Sequence, residues 1–210
     1  MSRRFALFLA ALLALALLSA CAGSTAPAGD AASPSPSVPV VAPSPTPAPD
    51  QGEDAETSAG VMSSFSATDL DGDPIDQSIF EDYDLTMVNI WATFCGPCLN
   101  EMPDLGAIHA EYADKGFQIV GLVADTLNQD GTISESQVDT AKAAVEETGA
   151  DYLHILPSQD LFGILSQATS VPTTFFVDKN GAQVGYAYLG SREKNDWIAI
   201  IDPLLEEVRE

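Results

Sequence analysis

A chain of 210 residues with 31 acidic against 8 basic residues carries a formal charge of -23. That balance excludes nucleic acid as a partner, because phosphate binding needs a basic face. The length suits one ordinary domain with additional segments, and the acidity fits a solvated surface in an extracytoplasmic space.

Residues 1–21 read as an export signal. Arg3 and Arg4 form its positive start, and Phe5 to Leu18 is an apolar run too short for a membrane span and followed by small residues. Leu18-Ser19-Ala20-Cys21 resembles the bacterial lipobox, in which the cysteine is lipidated and becomes the mature N-terminus. The alternative is a simple cleaved signal that happens to contain a cysteine. Acyl chains on Cys21 would hold the protein at the extracytoplasmic face of a bacterial membrane without spanning it. They would also leave Cys95 and Cys98 as the remaining pair of the three cysteines. A bridge over so short a loop adds little chain-entropy stabilisation, so the pair is better explained by reactivity.

Residues 22–60 form a linker rich in Pro, Ser, Ala and Thr, as in Ser33-Pro34-Ser35-Pro36 and Pro43-Ser44-Pro45-Thr46-Pro47. Without apolar periodicity it is expected to be disordered and to space the domain from the lipid surface. The folded domain is expected over 61–210. Leu70-Asp71-Gly72-Asp73-Pro74-Ile75 places a turn between two short strands. Asp71 and Asp73 flank its glycine, but the full calcium-loop pattern is missing. Leu85 to Trp91 is a nearly continuous apolar run, expected as a buried central strand.

A helix follows, with Leu105, Ile108, His109 and Tyr112 on one face and Lys115-Gly116 at its end. Phe117 to Ala124 is a second buried strand, and 125–131 a loop. Ser136 to Thr148 is helical, with Val138, Ala141, Ala144 and Val145 on one face and Gly149 as the stop. Tyr152 to Leu156 is a short strand and Leu161 to Gln167 a short helix. Thr173 to Val177 and Val184 to Leu189 form a hairpin about Asp178-Lys179-Asn180-Gly181. Ser191 is expected to cap a last amphipathic helix carrying Trp197, Ile198, Ile201 and Leu205, bent at Pro203. Alternating strands and helices imply an α/β fold with a mostly parallel sheet, and the closing hairpin adds antiparallel strands.

The chemistry centres on Trp91-Ala92-Thr93-Phe94-Cys95-Gly96-Pro97-Cys98, at the junction of strand and helix. A helix N-terminus offers partial positive charge and free N–H groups, so a thiolate at Cys95 is stabilised there. Gly96 lets the chain turn, Pro97 suits the first helical turn, and Cys98 lies one turn along, more buried and able to resolve a mixed disulfide. The reading depends on Cys95 being exposed. His109 reads as a satisfied core histidine, and His154 has no ligand spacing to anything. Thiolates also suit Cu(I), so a copper-handling module is the alternative from another class. A closed zinc site lacks its second pair of ligands. Ala92 and the positions of Arg192 and Arg209 argue against a peroxidase of the peroxiredoxin type, and Leu99 after Cys98 excludes the usual c-type haem motif.

Asn89-Ile90-Trp91-Ala92-Thr93-Phe94-Cys95-Gly96-Pro97-Cys98, then Glu101-Met102-Pro103, then Val171-Pro172-Thr173, resemble the thioredoxin superfamily. More closely they resemble the exported TlpA/ResA-type proteins with redoxin domains. The resemblance implies a thioredoxin-like fold: a central mixed sheet flanked by helices, with an N-terminal hairpin extension and an insertion in the βαβ region. It implies that Pro172 is cis, lies against the cysteine pair and is preceded by backbone that pairs with an extended substrate. Trp91, Gly96, Pro97, Val171 and Pro172 are accordingly the expected substrate-binding residues, although Trp91 reads equally as plain core. Thioredoxin itself has a buried Asp where this chain has Asn89, which cannot titrate. Glu101 is the natural substitute, with Cys95 and Cys98 in the catalytic set; the alternative is an acidic residue simply favoured near a helix start.

The expected activity is reduction of disulfides in exported proteins, apocytochrome c among the candidates. The redox-active disulfide would stand in place of a cofactor, with no metal, and a membrane thiol carrier would supply electrons. Oxidase and isomerase are the nearest alternatives.

Overall fold

The computed structural model describes residues 61–210. The export signal, the lipobox at Cys21 and the linker over 22–60 lie outside the described residues. The chain opens with a hairpin of β1 (Ser66–Thr68) and β2 (Pro74–Asp76). Its turn is closed by Asp69, whose Oδ1 accepts from the N–H groups of Asp71 and Asp73 at 2.8 and 2.9 Å. Then follow β3 (Leu85–Trp91), α1 (Gly96–Tyr112) and β4 (Phe117–Val123). A crossover through α2 (Glu135–Thr148) leads to β5 (Leu153–Ile155). The chain finishes with α3 (Phe162–Gln167), the hairpin β6 (Thr173–Asp178) and β7 (Gln183–Leu189), and α4 (Lys194–Glu207).

The five-stranded sheet runs β5-β4-β3-β6-β7. β3 pairs parallel with β4, and β4 with β5, while β3–β6 and β6–β7 are antiparallel. This is the mixed sheet expected from the sequence. The hairpin at the start abuts β5: Leu156 N–H donates to Thr68 O, and Leu70 N–H to His154 O.

Strand parity sorts the apolar runs into two cores. Leu85, Met87 and Trp91 of β3 join Phe117, Ile119 and Val123 of β4 under α1 and α4, where Met102, Leu105, Ile108, Trp197 and Ile201 pack. Val88, Ile90, Val120 and Leu122 face the other way, against Phe65, Phe80, Leu161, Phe175 and Val177. Burial on both faces is why β3 and β4 read as unbroken hydrophobic runs.

α1 ends in a short 3-10 turn and Gly116, which takes the left-handed φ of 64° that a side chain would resist. One expectation fails at the last helix. Ser191 does not cap it; α4 begins at Lys194 after Glu193, with no side-chain cap. The preceding backbone is committed elsewhere: Gly190 N–H donates to Pro172 O at 2.9 Å and Arg192 N–H to Glu101 Oε1 at 2.8 Å. Asp104 on α1 serves the new helix start instead, accepting from Lys194 N–H at 2.9 Å. α4 continues through Pro203, and Ala199, whose carbonyl loses its helical partner there, is exposed.

Gly121 on β4 marks the tightest packing in the first core. A Cβ there would collide with the His154 ring and come within 3.0 Å of Trp91 Nε1. Gly121→Ala should therefore lower stability by about 1–3 kcal/mol. Denaturant unfolding of both proteins checks this, and an unchanged midpoint would mean that the ring can move aside freely.

Candidate active site

β3 ends at Trp91, and the chain turns through Ala92, Thr93 and Phe94 into α1. Cys95 is the N-cap of that helix: it has extended backbone, and its Sγ accepts from Cys98 N–H at 3.2 Å. Gly96 and Pro97 occupy the first two helical positions, where a missing N–H costs no intrahelical bond. Cys95 and Cys98 are joined as a disulfide, with Cα atoms 5.3 Å apart. Cys95 is only 5% exposed and Cys98 1%. The expected order of burial holds, but Cys95 is not an exposed residue in the oxidised state. The surface around it is made by Phe94, 77% exposed, with Gly96 and Pro97.

The loop before Cys95 is held by a residue the sequence reading passed over. The Asp125 carboxylate accepts from Thr93 N–H at 3.1 Å and from Thr93 Oγ1 at 2.6 Å. Trp91 pairs with Val123 in the parallel ladder, so the residues two beyond each strand end meet. That register was the available signal.

The Val171–Pro172 peptide is cis. Pro172 is buried and Val171 half-buried, with Val171 packed against the core cluster that contains both cysteines. Gly190, just past β7, donates to Pro172 O, which fixes the turn before β6. Trp91 is turned away from this surface. It is fully buried, and its Nε1 donates to His154 Nδ1 at 3.2 Å. This is the plain core placement, the other of its two expected readings. The parity that puts it beside Met87 is the reason.

The polar residues beneath the pair are nearly all answered. Asn89 Nδ2 donates to Thr174 Oγ1 at 3.0 Å, its partner across β3 and β6. His154 Nδ1 is an acceptor, so its Nε2 carries the proton and donates to Ala150 O at 3.1 Å. Burial lowers its pKa to about 4. His109, half-buried, is hydrogen-bonded as expected: its Nδ1 accepts from Ile119 N–H at 3.2 Å.

Glu101 lies on α1, one turn beyond Cys98, and is 3% exposed. Burial raises its pKa above the usual carboxylate value. Four influences pull the other way: Arg192 N–H, the Trp197 indole N–H, the Arg192 charge and the Asn89 amide. Sequence reasoning missed Trp197 and Arg192, which reach Glu101 from the far end of the chain. Among the described residues, no group of three or more His, Cys, Asp and Glu side chains is placed to hold a metal ion.

The Redoxin family profile matches residues 46–201 of this chain. The chain belongs to the Redoxin family. It is 28% identical over 118 residues to thiol-disulfide oxidoreductase ResA of Bacillus thuringiensis subsp. konkukian, covering 56% of this chain and 62% of that one. It is 34% identical over 113 residues to the ResA of Oceanobacillus iheyensis, covering 51% and 53%. The matches thus span less than two thirds of these relatives' length. A thioredoxin-family thiol:disulfide interchange protein from Chlorobium tepidum TLS superposes with a TM-score of 0.54 at 27% identity, covering 68% of this chain and 93% of that one. Redoxin membership and the likeness to ResA proteins agree with what the sequence motifs implied.

His154 carries a pH consequence for this redoxin domain. Its folded pKa lies below the ordinary histidine value, so the unfolded chain binds the extra proton first as pH falls. Its contribution to stability is full above about pH 6.5 and is lost toward pH 4, a loss of about 3 kcal/mol. NMR titration of the folded protein should show the His154 imidazole neutral at pH 5.5; a midpoint near 6.5 would contradict the buried acceptor role.

Proposed function

We propose that this redoxin is a membrane-anchored extracytoplasmic thiol–disulfide oxidoreductase that reduces disulfides in exported proteins. The observation that carries the reading is the Cys95–Cys98 pair at the N-terminus of α1, beside the cis Val171–Pro172 turn. The helix N-terminus favours a thiolate at Cys95, which is the attacking species in exchange. The relatives named thiol-disulfide oxidoreductase ResA support the same chemistry.

In the reducing direction, the Cys95 thiolate attacks one sulfur of the partner's disulfide and forms a mixed disulfide. The first partner sulfur leaves as a thiolate and takes a proton. Cys98 then gives up its proton and attacks Cys95 Sγ. The second partner sulfur leaves, and the Cys95–Cys98 bond closes. Two electrons have passed from the dithiol to the partner, and a membrane thiol carrier restores the reduced pair. Gly96, Pro97 and Val171 form the docking rim with Pro172 buried behind it, and Phe94 is added by its exposure. Glu101 tunes Cys98 from the next helical turn.

The Gly-Pro dipeptide between the cysteines matches reducing thioredoxins, whose potential is about -270 mV against about -120 mV for a strong oxidant. Equilibration of the soluble domain with thiol buffers should give a value near or below about -250 mV; one above about -180 mV would reassign the protein to oxidation or isomerisation. Cys95→Ser should abolish turnover, and Cys98→Ser should accumulate mixed disulfides; full reductase activity in Cys95→Ser would overturn the mechanism.

No helix among the described residues is long and apolar enough to cross a membrane. Anchoring is assigned to acyl chains on Cys21. Mass spectrometry of the mature N-terminal peptide should find diacylglyceryl mass on Cys21, and Cys21→Ala should release the protein from the membrane fraction. An unmodified peptide beginning elsewhere would leave only a cleaved signal.

A further inference from the structure

Glu101 uses its two carboxyl oxygens differently. Oε1 accepts from Trp197 Nε1–H at 2.6 Å and from Arg192 N–H at 2.8 Å, whereas Oε2 is buried and has no hydrogen-bond partner, the nearby Asn89 amide donating to Thr174 Oγ1 instead. A carboxyl oxygen has two lone-pair sites, so two N–H donors fill Oε1, and neither donor can accept a proton back. The proton of the neutral carboxyl therefore belongs on Oε2.

The donors are held in place. The Trp197 ring is fully buried, edge-on to Phe176 and Tyr188, with the Arg192 guanidinium 5.0 Å from its centre. Arg192 Nη1 donates to Gly190 O at 3.0 Å, and Gly190 N–H donates to Pro172 O at 2.9 Å. A hydrogen-bonded strap thus runs from the cis-proline turn to Glu101.

We propose that Trp197 is the positioning residue for Glu101, anchoring Oε1 through its indole N–H so that Oε2 is the atom that holds and releases the carboxyl proton. The proposal rests on the reading of Cys95 and Cys98 as an exchange pair, because the proton bears on turnover only if Cys98 must lose its own. The charged and titratable groups around Glu101 are Cys98 on its own helix, Arg192, the Tyr152 phenol before β5, and Asp104, Glu193 and Asp196, which share with it an open cleft of ≈ 330 Å³. Arg192 is the one cation among them, and its main-chain N–H survives any side-chain change there except to proline.

The test replaces Trp197 in the full chain with β-(3-benzothienyl)alanine, which keeps the fused ring and removes the N–H. Carbon-detected NMR of glutamate-labelled oxidised protein reads the Glu101 carboxyl, assigned by its loss in Glu101→Gln. Loss of a buried charge-assisted bond should raise the Glu101 midpoint by about 1–2 pH units, and the pH profile of mixed-disulfide resolution should move with it. Trp197→Phe should shift it in the same direction, and Arg192→Lys, which keeps both donors, by much less. An unchanged midpoint in the folded benzothienyl protein overturns the proposal and leaves Cys95-dependent exchange untouched. A raised midpoint with no shift in the resolution profile overturns the catalytic part of the role. If wild-type protein performs no exchange while the midpoint still rises, the exchange reading falls and the anchoring of Oε1 stands.

Discussion

The chemistry of this domain hangs from one end of β3. The strand is paired along nearly its whole length on both sides, with β4 parallel and β6 antiparallel. Its C-terminal end is therefore level with the end of β4 and the start of β6. Whatever leaves β3 must meet whatever leaves β4 and whatever enters β6. The cysteine loop, Asp125 and the cis Val171–Pro172 turn are those three segments. In open α/β sheets, sites gather at the carboxyl ends of the parallel strands, and here the pairing register decides which residues gather. α1 adds the electrostatics: it starts where β3 stops, and its first N–H groups face Cys95.

That arrangement explains the treatment of polar groups in the core. A buried polar side chain needs a partner, and most here find one close by. Gln118 donates to Thr86 and to Ile79 O, Asn89 to Thr174, and Trp91 to His154. Gly121 leaves the room that the Trp91–His154 pair fills. Among the described residues, Glu101 is the one carboxyl in the buried set. It is also left half-answered. A structural carboxylate would be expected to have both oxygens bonded, so the open oxygen of a carboxyl one helical turn beyond Cys98 points to a functional demand.

Much of this was legible in the sequence, for reasons that can be traced. Leu85–Trp91 and Phe117–Val123 read as buried strands because both of their faces are covered, which removes the polar alternation. The helix start at Cys95 was legible because Gly96 and Pro97 suit no other position as well. Trp91 had two readings because its neighbourhood in sequence is the cysteine loop, while its side chain follows the parity of β3 into the core. Ser191 was misread as a cap because serine before an amphipathic run is a local signal, and the competing bonds of Gly190 and Arg192 are not local. Trp197 reaches Glu101 across 96 positions, through the docking of α4 on α1. No periodicity in the chain encodes that meeting.

Glu101 and the cysteine pair cannot titrate independently. In the disulfide form burial already shifts the carboxyl in the direction of its neutral state. Reduction frees two thiols on the same helix, Cys98 one turn before Glu101 and Cys95 nearly two turns before it. Like charges so near cannot both form at low cost, so a thiolate would raise the carboxyl further, and an ionised carboxyl would raise the thiol. The two protons then come off in steps that belong to the group as a whole. In a two-electron couple, each proton taken up on reduction steepens the potential by about 30 mV per pH unit. Oxidised and reduced forms therefore differ in how firmly Glu101 holds its proton, and the slope of potential against pH must bend where that proton leaves. A carboxyl coupled in this way would belong to the redox couple, although no electron would pass through it.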